Sequence, residues 1–220
     1  MLNFLNLAPS TLISHVIVLV IAFTIHEFAH AWTANYFGDE TPEANGRLTL
    51  NPLAHLDPMG SLLLIVAGFG WAKPVPINPY TLQRRSPAAV MWVSLAGPFS
   101  NLIMAVVAAI PFRLGVLSVY DAQLAIFTAQ GPQAHPLPTI PQILYIFIQI
   151  NLVLMLFNLI PIAPLDGEKI FDYFLPPSWM RVLDRIRPFG PVILLMLVFF
   201  GLIGIIIGPP LRLLMTLLVG

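Results

Sequence analysis

Three ionisable residues fall within five positions of an otherwise apolar stretch, His26-Glu27-Phe28-Ala29-His30. On a helix, residues four apart share a face, so both imidazoles can reach one metal ion while Glu27 lies beside that face rather than on it. A carboxylate so placed can take a proton from water without becoming a ligand. Zinc lowers the pKa of a water towards about 7, and an adjacent carboxylate then serves as general base for attack on a carbonyl. With five His and four Glu in 220 residues, the pattern arises by chance in roughly two chains per thousand. A histidine pair used only for helix packing also leaves a cost unexplained, because a charge in mid-membrane costs about 2.5–3.5 kcal/mol on insertion scales.

A tetrahedral catalytic zinc with this ligand pair needs a third protein ligand and keeps its fourth position open. The chain has no cysteine, so that ligand must be His, Asp or Glu. Asp166 is the candidate. It follows Asn158-Leu159-Ile160-Pro161-Ile162-Ala163-Pro164-Leu165, where two prolines break an apolar stretch, and it precedes Gly167, which allows a sharp turn. The alternative is that Asp166 only caps the helix after that turn. His55, in Asn51-Pro52-Leu53-Ala54-His55-Leu56-Asp57-Pro58, has two readings. It could occupy the open fourth position as a gate, or it could fix a turn at the membrane edge together with Asp57. His15 precedes His26 by about three helical turns, roughly 16 Å, too far to share its metal, and His135 reads as a loop residue.

The elements that carry these groups belong to a membrane. Hydrophobic residues make up 58% of the chain and charged residues 9%, with a mean hydropathy of +0.86, which excludes a water-soluble surface. A net charge of zero provides no field for nucleic acid, so none is expected as a partner. Stretches of about 20 apolar residues can cross the bilayer, and four fit: residues 11–37, 87–112, 140–160 and 191–208. The connection between the first two is polar and turn-rich over 38–58. It then has an apolar run over 61–72, too short to cross, and ends in Lys73-Pro74-Val75-Pro76-Ile77-Asn78-Pro79. Short edge strands are expected at 47–50 and 75–78. The tail after Pro209 either lies along the interface or extends the last span. The expected fold is an all-α polytopic membrane protein of about four to six transmembrane helices, with a short re-entrant or edge β segment near residues 47–79. The whole chain, 1–220, is expected to be a single membrane-embedded metalloprotease domain. Lys and Arg mark the cytoplasmic side. Arg47, Lys73, Arg84 and Arg85 would share that side with Lys169, Arg181, Arg185 and Arg187, leaving Arg113 and Arg212 opposite.

In this order and spacing the residues resemble the site-2 protease family of intramembrane zinc metalloproteases, peptidase family M50, in a compact form without PDZ or CBS domains. Three segments carry the resemblance: the His26 to His30 motif, Ala96-Gly97-Pro98-Phe99-Ser100-Asn101, and Asn158 to Gly167. It implies one zinc per chain held by His26, His30 and Asp166, with Glu27 as general base. It also implies a substrate-binding group of Gly97, Asn101 and Asn158, with Asn101 near the bound substrate. The expected substrates are transmembrane proteins in the lipid bilayer, cut within or near their spans, and the expected location is a prokaryotic cell membrane with the site towards the cytoplasm. Two departures from the family pattern stand out: Ala163 replaces a proline, and Glu168 follows the glycine where relatives carry a small residue. A metal carrier or sensor, or a scaffold without proteolysis, would use the same ligands but has no use for Glu27.

Overall fold

The computed structural model describes residues 7–67, 70–129 and 137–220. His135 and the first six residues lie outside that set. Three long helices form the centre: α1 (Pro9–Tyr36), later α6 (Ala89–Arg113) and α8 (Ile140–Asn158). Pro9 opens α1 at a position where its missing N–H is not needed, and Gly38, at φ +84°, follows its end in the left-handed conformation that glycine adopts freely. α8 starts with a capping box in which Thr139 accepts from the backbone of Gln142 while the Gln142 side chain accepts from the backbone of Thr139.

α1 and α8 run in the same direction, because the Gln142 side chain donates to Thr11 Oγ1 at 3.2 Å near the start of both. α6 packs against both of them in the opposite sense. Buried positions include Asn101, Gln142 and Asn151, whereas Ile13, Ile17 and Ile21 of α1 and Ile103, Val107 and Ile110 of α6 are exposed. This arrangement, polar inside and apolar outside, suits hydrocarbon rather than water. By length and composition, α1, α6 and α8 can each cross a membrane, as can the final helix α12 (Leu202–Val219).

The expected fourth span at 191–208 is displaced. That stretch breaks at Gly201, which takes φ +72° between α11 (Gly190–Phe199) and α12. The tail from Pro209 belongs to α12, with Pro209 and Pro210 inside it. Arg113, at the end of α6, donates to the carbonyls of Leu217 and Leu218, so the far ends of α6 and α12 lie together.

Among the described residues, the connection after α1 contains four short helices, α2 (Thr41–Ala44), α3 (Pro52–His55), α4 (Pro58–Ala67) and α5 (Pro79–Arg85). α4, with 10 residues, is about 15 Å long, half of what a crossing needs. Its two flanks pair with each other: Leu56 and Ala72 form a β-bridge, and Lys73 N–H donates to the His55 carbonyl at 2.8 Å. The excursion therefore leaves and returns at one level. The expected edge strands do not form, since that isolated bridge is the sole β pairing among the described residues. Pro74 and Pro76 have no N–H to donate. Arg47, itself buried, takes the carbonyls of Ala54, Lys73 and Pro74 with its guanidinium, and Asp39 accepts from the backbone of Asn78. The remaining helices are α7 (Val119–Thr128), which packs on α8, then α9 (Asp166–Phe174) and α10 (Pro177–Ile186).

Candidate metal centre

His26 and His30 are buried on the face of α1 that meets α6, as the four-residue spacing requires. The chain break after α8 brings a third group to them. α8 ends at Asn158, residues 159–165 turn back through Pro161 and Pro164, and Asp166 opens α9. Leu165 holds the N-cap position without a side-chain cap bond, and Asp166 is the first residue of the helix. Its Oδ2 lies 3.3 Å from His26 Nε2 and 3.3 Å from His30 Nε2, and the two Nε2 atoms are 3.1 Å apart. Ligands about 2.0–2.2 Å from a tetrahedral ion stand roughly 3.3 Å from one another, so the three atoms form one face of such a coordination shell.

The hydrogen bonds behind the ligands also fit a cation. His30 Nδ1 faces the Val93 carbonyl at 2.7 Å. A carbonyl only accepts, so Nδ1 carries the proton and Nε2 turns its lone pair towards the carboxylate and the other imidazole. His26 Nδ1 faces the carboxamide oxygen of Asn101 at 2.5 Å. Two lone pairs and a carboxylate oxygen converging within hydrogen-bond range repel one another, and a divalent cation held by His26, His30 and Asp166 would convert that repulsion into binding.

Two glycines allow this approach. A Cβ on Gly97 would fall 2.6 Å from His26 Nε2 and closer still to His30 Nε2. A Cβ on Gly167 would collide with the carbonyls of Leu159 and Ile160, so Gly167 is required by close packing of α9 on the end of α8 and not by a left-handed turn. The departure at Glu168 has a partner: Arg187 forms ion pairs with Glu168, Asp172 and Asp184, tying the start of α9 to α10 and the turn after it.

The three candidate ligands open into a cavity of about 500 Å³. Glu27, Asn158 and Ser94 line it, and Trp71, Val75 and Ile77 form one wall. Ser94 Oγ is buried without a hydrogen-bond partner among the described residues. The Asn158 amide donates to the Leu154 carbonyl and keeps its other polar positions for the cavity.

The three residues expected to bind substrate stand in different surroundings: Asn158 lines the cavity. Asn101 is 0% exposed and outside the cavity lining, with its side chain spent on His26 and Asn151. Gly97 clears space for the imidazoles and does not line the cavity either. His55 is 0% exposed, its Nε2 meets the Thr49 carbonyl at 2.7 Å, and it is not among the residues that line the cavity. Asn151, Ser94 and the Val93 carbonyl are missing from the sequence reading. A buried amide in mid-span was a usable signal for Asn151, whereas no sequence signal points to a particular backbone carbonyl.

Comparison with known proteins gives a consistent result. The model of peptidase family M50 matches residues 14–200. YwhC of Bacillus subtilis, provisionally named a zinc metalloprotease, is 41% identical over 197 residues, covering 90% of this chain and 85% of its own. Rip2 of Mycolicibacterium smegmatis, with the same provisional name, is 34% identical over 195 residues, covering 83% of this chain and 67% of its own. No solved structure matches the chain.

Proposed function

The chain belongs to peptidase family M50, and from that premise we propose that it is an intramembrane zinc metalloprotease that cuts transmembrane proteins within or near their spans. The observation that carries this reading is the His26, His30, Asp166 triangle, 3.1–3.3 Å on each side, built between helices long and apolar enough to cross a bilayer. One zinc per chain held there supplies the Lewis acidity that makes water nucleophilic at neutral pH and polarises a carbonyl.

The chain's own residues supply the rest. Glu27 follows His26 directly, lines the cavity and is the general base that accepts the proton of the attacking water. Asn158 and Ser94 line the cavity, and their amide and hydroxyl are the groups that hydrogen-bond a substrate carbonyl in this reading. The wall from Trp71 to Ile77 is the surface along which an unwound substrate segment lies. The paired flanks of α4 support a re-entrant segment that enters and leaves on one side of the membrane. Lys73, Arg84, Arg85, Lys169, Arg181 and Arg185 support a cytoplasmic position for the cavity mouth in a prokaryotic cell membrane. We further propose that 1–220 functions as a single membrane-embedded domain.

Substitution separates the roles. His26→Ala, His30→Ala and Asp166→Ala are expected to lose zinc. Glu27→Gln is expected to retain one zinc per chain while cleavage of a transmembrane substrate falls by about 10²-fold or more. A Glu27→Gln protein that cuts at the wild-type rate would sink the mechanism.

A further inference from the structure

Behind His26 runs a chain of hydrogen bonds that passes through Asn101 and continues beyond the three motif segments. His26 Nδ1 meets Asn101 Oδ1 at 2.5 Å, Asn101 Nδ2 donates to Asn151 Oδ1 at 2.8 Å, and Asn151 Nδ2 donates to the Phe147 carbonyl at 2.8 Å. Asn101 and Asn151 are each 0% exposed, so neither amide can exchange a partner for water. Asn151 sits two helical turns before Asn158 on α8 and belongs to none of the three motif segments.

Such a chain has a direction, and its far end sets it. A main-chain carbonyl only accepts, so Asn151 must turn its NH₂ to Phe147 and its oxygen to α6. That oxygen only accepts, so Asn101 must turn its NH₂ to α8 and its oxygen to α1. An oxygen opposite His26 Nδ1 requires the proton on Nδ1, which leaves the Nε2 lone pair facing His30 and Asp166. Reversing Asn101 would set N–H against His26 Nδ1 and oxygen against oxygen at Asn151. It would also put the imidazole proton on Nε2, in the space where a metal must bind. Buried and unpaired amide groups cost about 1–3 kcal/mol each, so the reversed arrangement is strongly disfavoured. His30 obtains the same tautomer from the Val93 carbonyl alone.

We propose that Asn151 is a positioning residue of the metal centre: acting through Asn101, it holds His26 in the tautomer that offers Nε2 as a ligand. This rests on the zinc reading above. The two ligands are thus oriented from different elements, His30 by the backbone of α6 and His26 by the backbone of α8 relayed through two side chains. The relay also fastens α1, α6 and α8 together at the depth of the site.

The test measures zinc affinity, not turnover, by competition with a chelator on the full chain in detergent. Asn151→Leu is expected to raise the zinc Kd by about 10–100-fold, the usual range for groups behind a ligand. Asn151→Asp, whose protonated carboxyl reproduces both the donor and the acceptor, is expected to stay within about twofold of wild type. In an Asn101→Asp background the carboxylate accepts from His26 Nδ1–H unaided, and Asn151→Leu is then expected to change Kd by no more than about twofold. A merely structural Asn151 would lower the melting temperature in both backgrounds and leave Kd unmoved, which overturns the proposal, as do equal losses of affinity in both. Should Asn151→Leu fail to fold, a Kd for Asn151→Asp raised by about tenfold or more overturns it. His26→Ala serves as the control. If that protein binds zinc as wild type does, the zinc reading itself has failed; if it loses zinc while Asn151→Leu does not, only the relay has.

Discussion

Gly97 on α6 stands so close to His30 on α1 that a side chain of any size on the glycine would enter the space between the two imidazole Nε2 atoms. The packing of α6 against α1 and the geometry of the metal centre are therefore one constraint. Gly97→Ala is expected to cost about 1–3 kcal/mol through overpacking and to reduce zinc well below one per chain, because the methyl group displaces the ligand nitrogens. Metal analysis and thermal unfolding of the purified protein check this. Full zinc occupancy with wild-type melting would show that the helices can separate without disturbing the ligands.

The ligand pair was legible because helical spacing alone decides that His26 and His30 share a face. Asp166 was legible because a carboxylate directly after a proline-broken helix has few places to go. What the spacing leaves open is which neighbour a face meets. Asn101 reads as an amide in need of a partner, and only the packing of α6 against α1 and α8 makes those partners His26 and Asn151. Gly167 reads as a turn residue, whereas the carbonyls of Leu159 and Ile160 against it come from chain folding. The failed edge strands have a similar cause. Alternation and prolines suggest an edge strand around 75–78, but the main-chain groups that flank it, the carbonyls of Lys73 and Pro74 and the N–H of Asn78, go to the side chains of Arg47 and Asp39 and not to a second strand. Gly201 alone moves the last span, because a single left-handed residue separates two apolar helices that composition reads as continuous.

Arg47 holds three main-chain carbonyls on both sides of α4, with no carboxylate near enough to pair with it among the described residues. Arg47→Leu leaves those acceptors without a donor, at about 1–3 kcal/mol each where they stay buried. The wall from Trp71 to Ile77 then loses its anchor, while the ligands on α1 and α9 keep theirs. Zinc content is expected to remain at one per chain and KM for a transmembrane substrate to rise more than kcat falls. Arg47→Lys is expected to recover little, since a point charge cannot reproduce the planar fork. Loss of zinc in Arg47→Leu would show that the connection also supports the metal centre.

The charge bias that sets the orientation rests on fewer residues than the sequence suggests. Arg47 is buried and Arg187 is matched by three carboxylates, which leaves Lys73, Arg84, Arg85, Lys169, Arg181 and Arg185 to mark the side. Because the chain has no cysteine, single replacements can be read without background. Gln83→Cys on α5 and Ser178→Cys on α10 are expected to resist an impermeant thiol reagent in intact cells, and Asp121→Cys on α7 to react. Labelling of the first two from outside would invert the topology and move the cavity mouth to the other face.

Substrate selection follows from the stretch of cavity lining between Trp71 and Ile77. Val75 and Ile77 line the cavity outside any helix, and their backbone N–H and C=O groups have no hydrogen-bond partner among the described residues. A helical substrate presents no free main-chain groups to such an edge, and its carbonyls stay locked in its own ladder. A segment that unwinds can add alongside 75–77 by main-chain hydrogen bonds with little demand on side chains. Unwinding costs less where the substrate span contains Gly or Pro, which weaken a helix interior by about 1 and 3 kcal/mol relative to Ala. A substrate with Gly or Pro near the cleavage position is therefore expected to be cut faster than one carrying a run of Leu there, by roughly fivefold for a single Gly if the full difference reaches the transition state. The comparison is made in kcat/KM with paired substrates in the same detergent or vesicles, so that partitioning is held equal. Equal rates would mean that the substrate meets Glu27 and the ligands already unwound, and that the wall from Trp71 to Ile77 has no part in opening it.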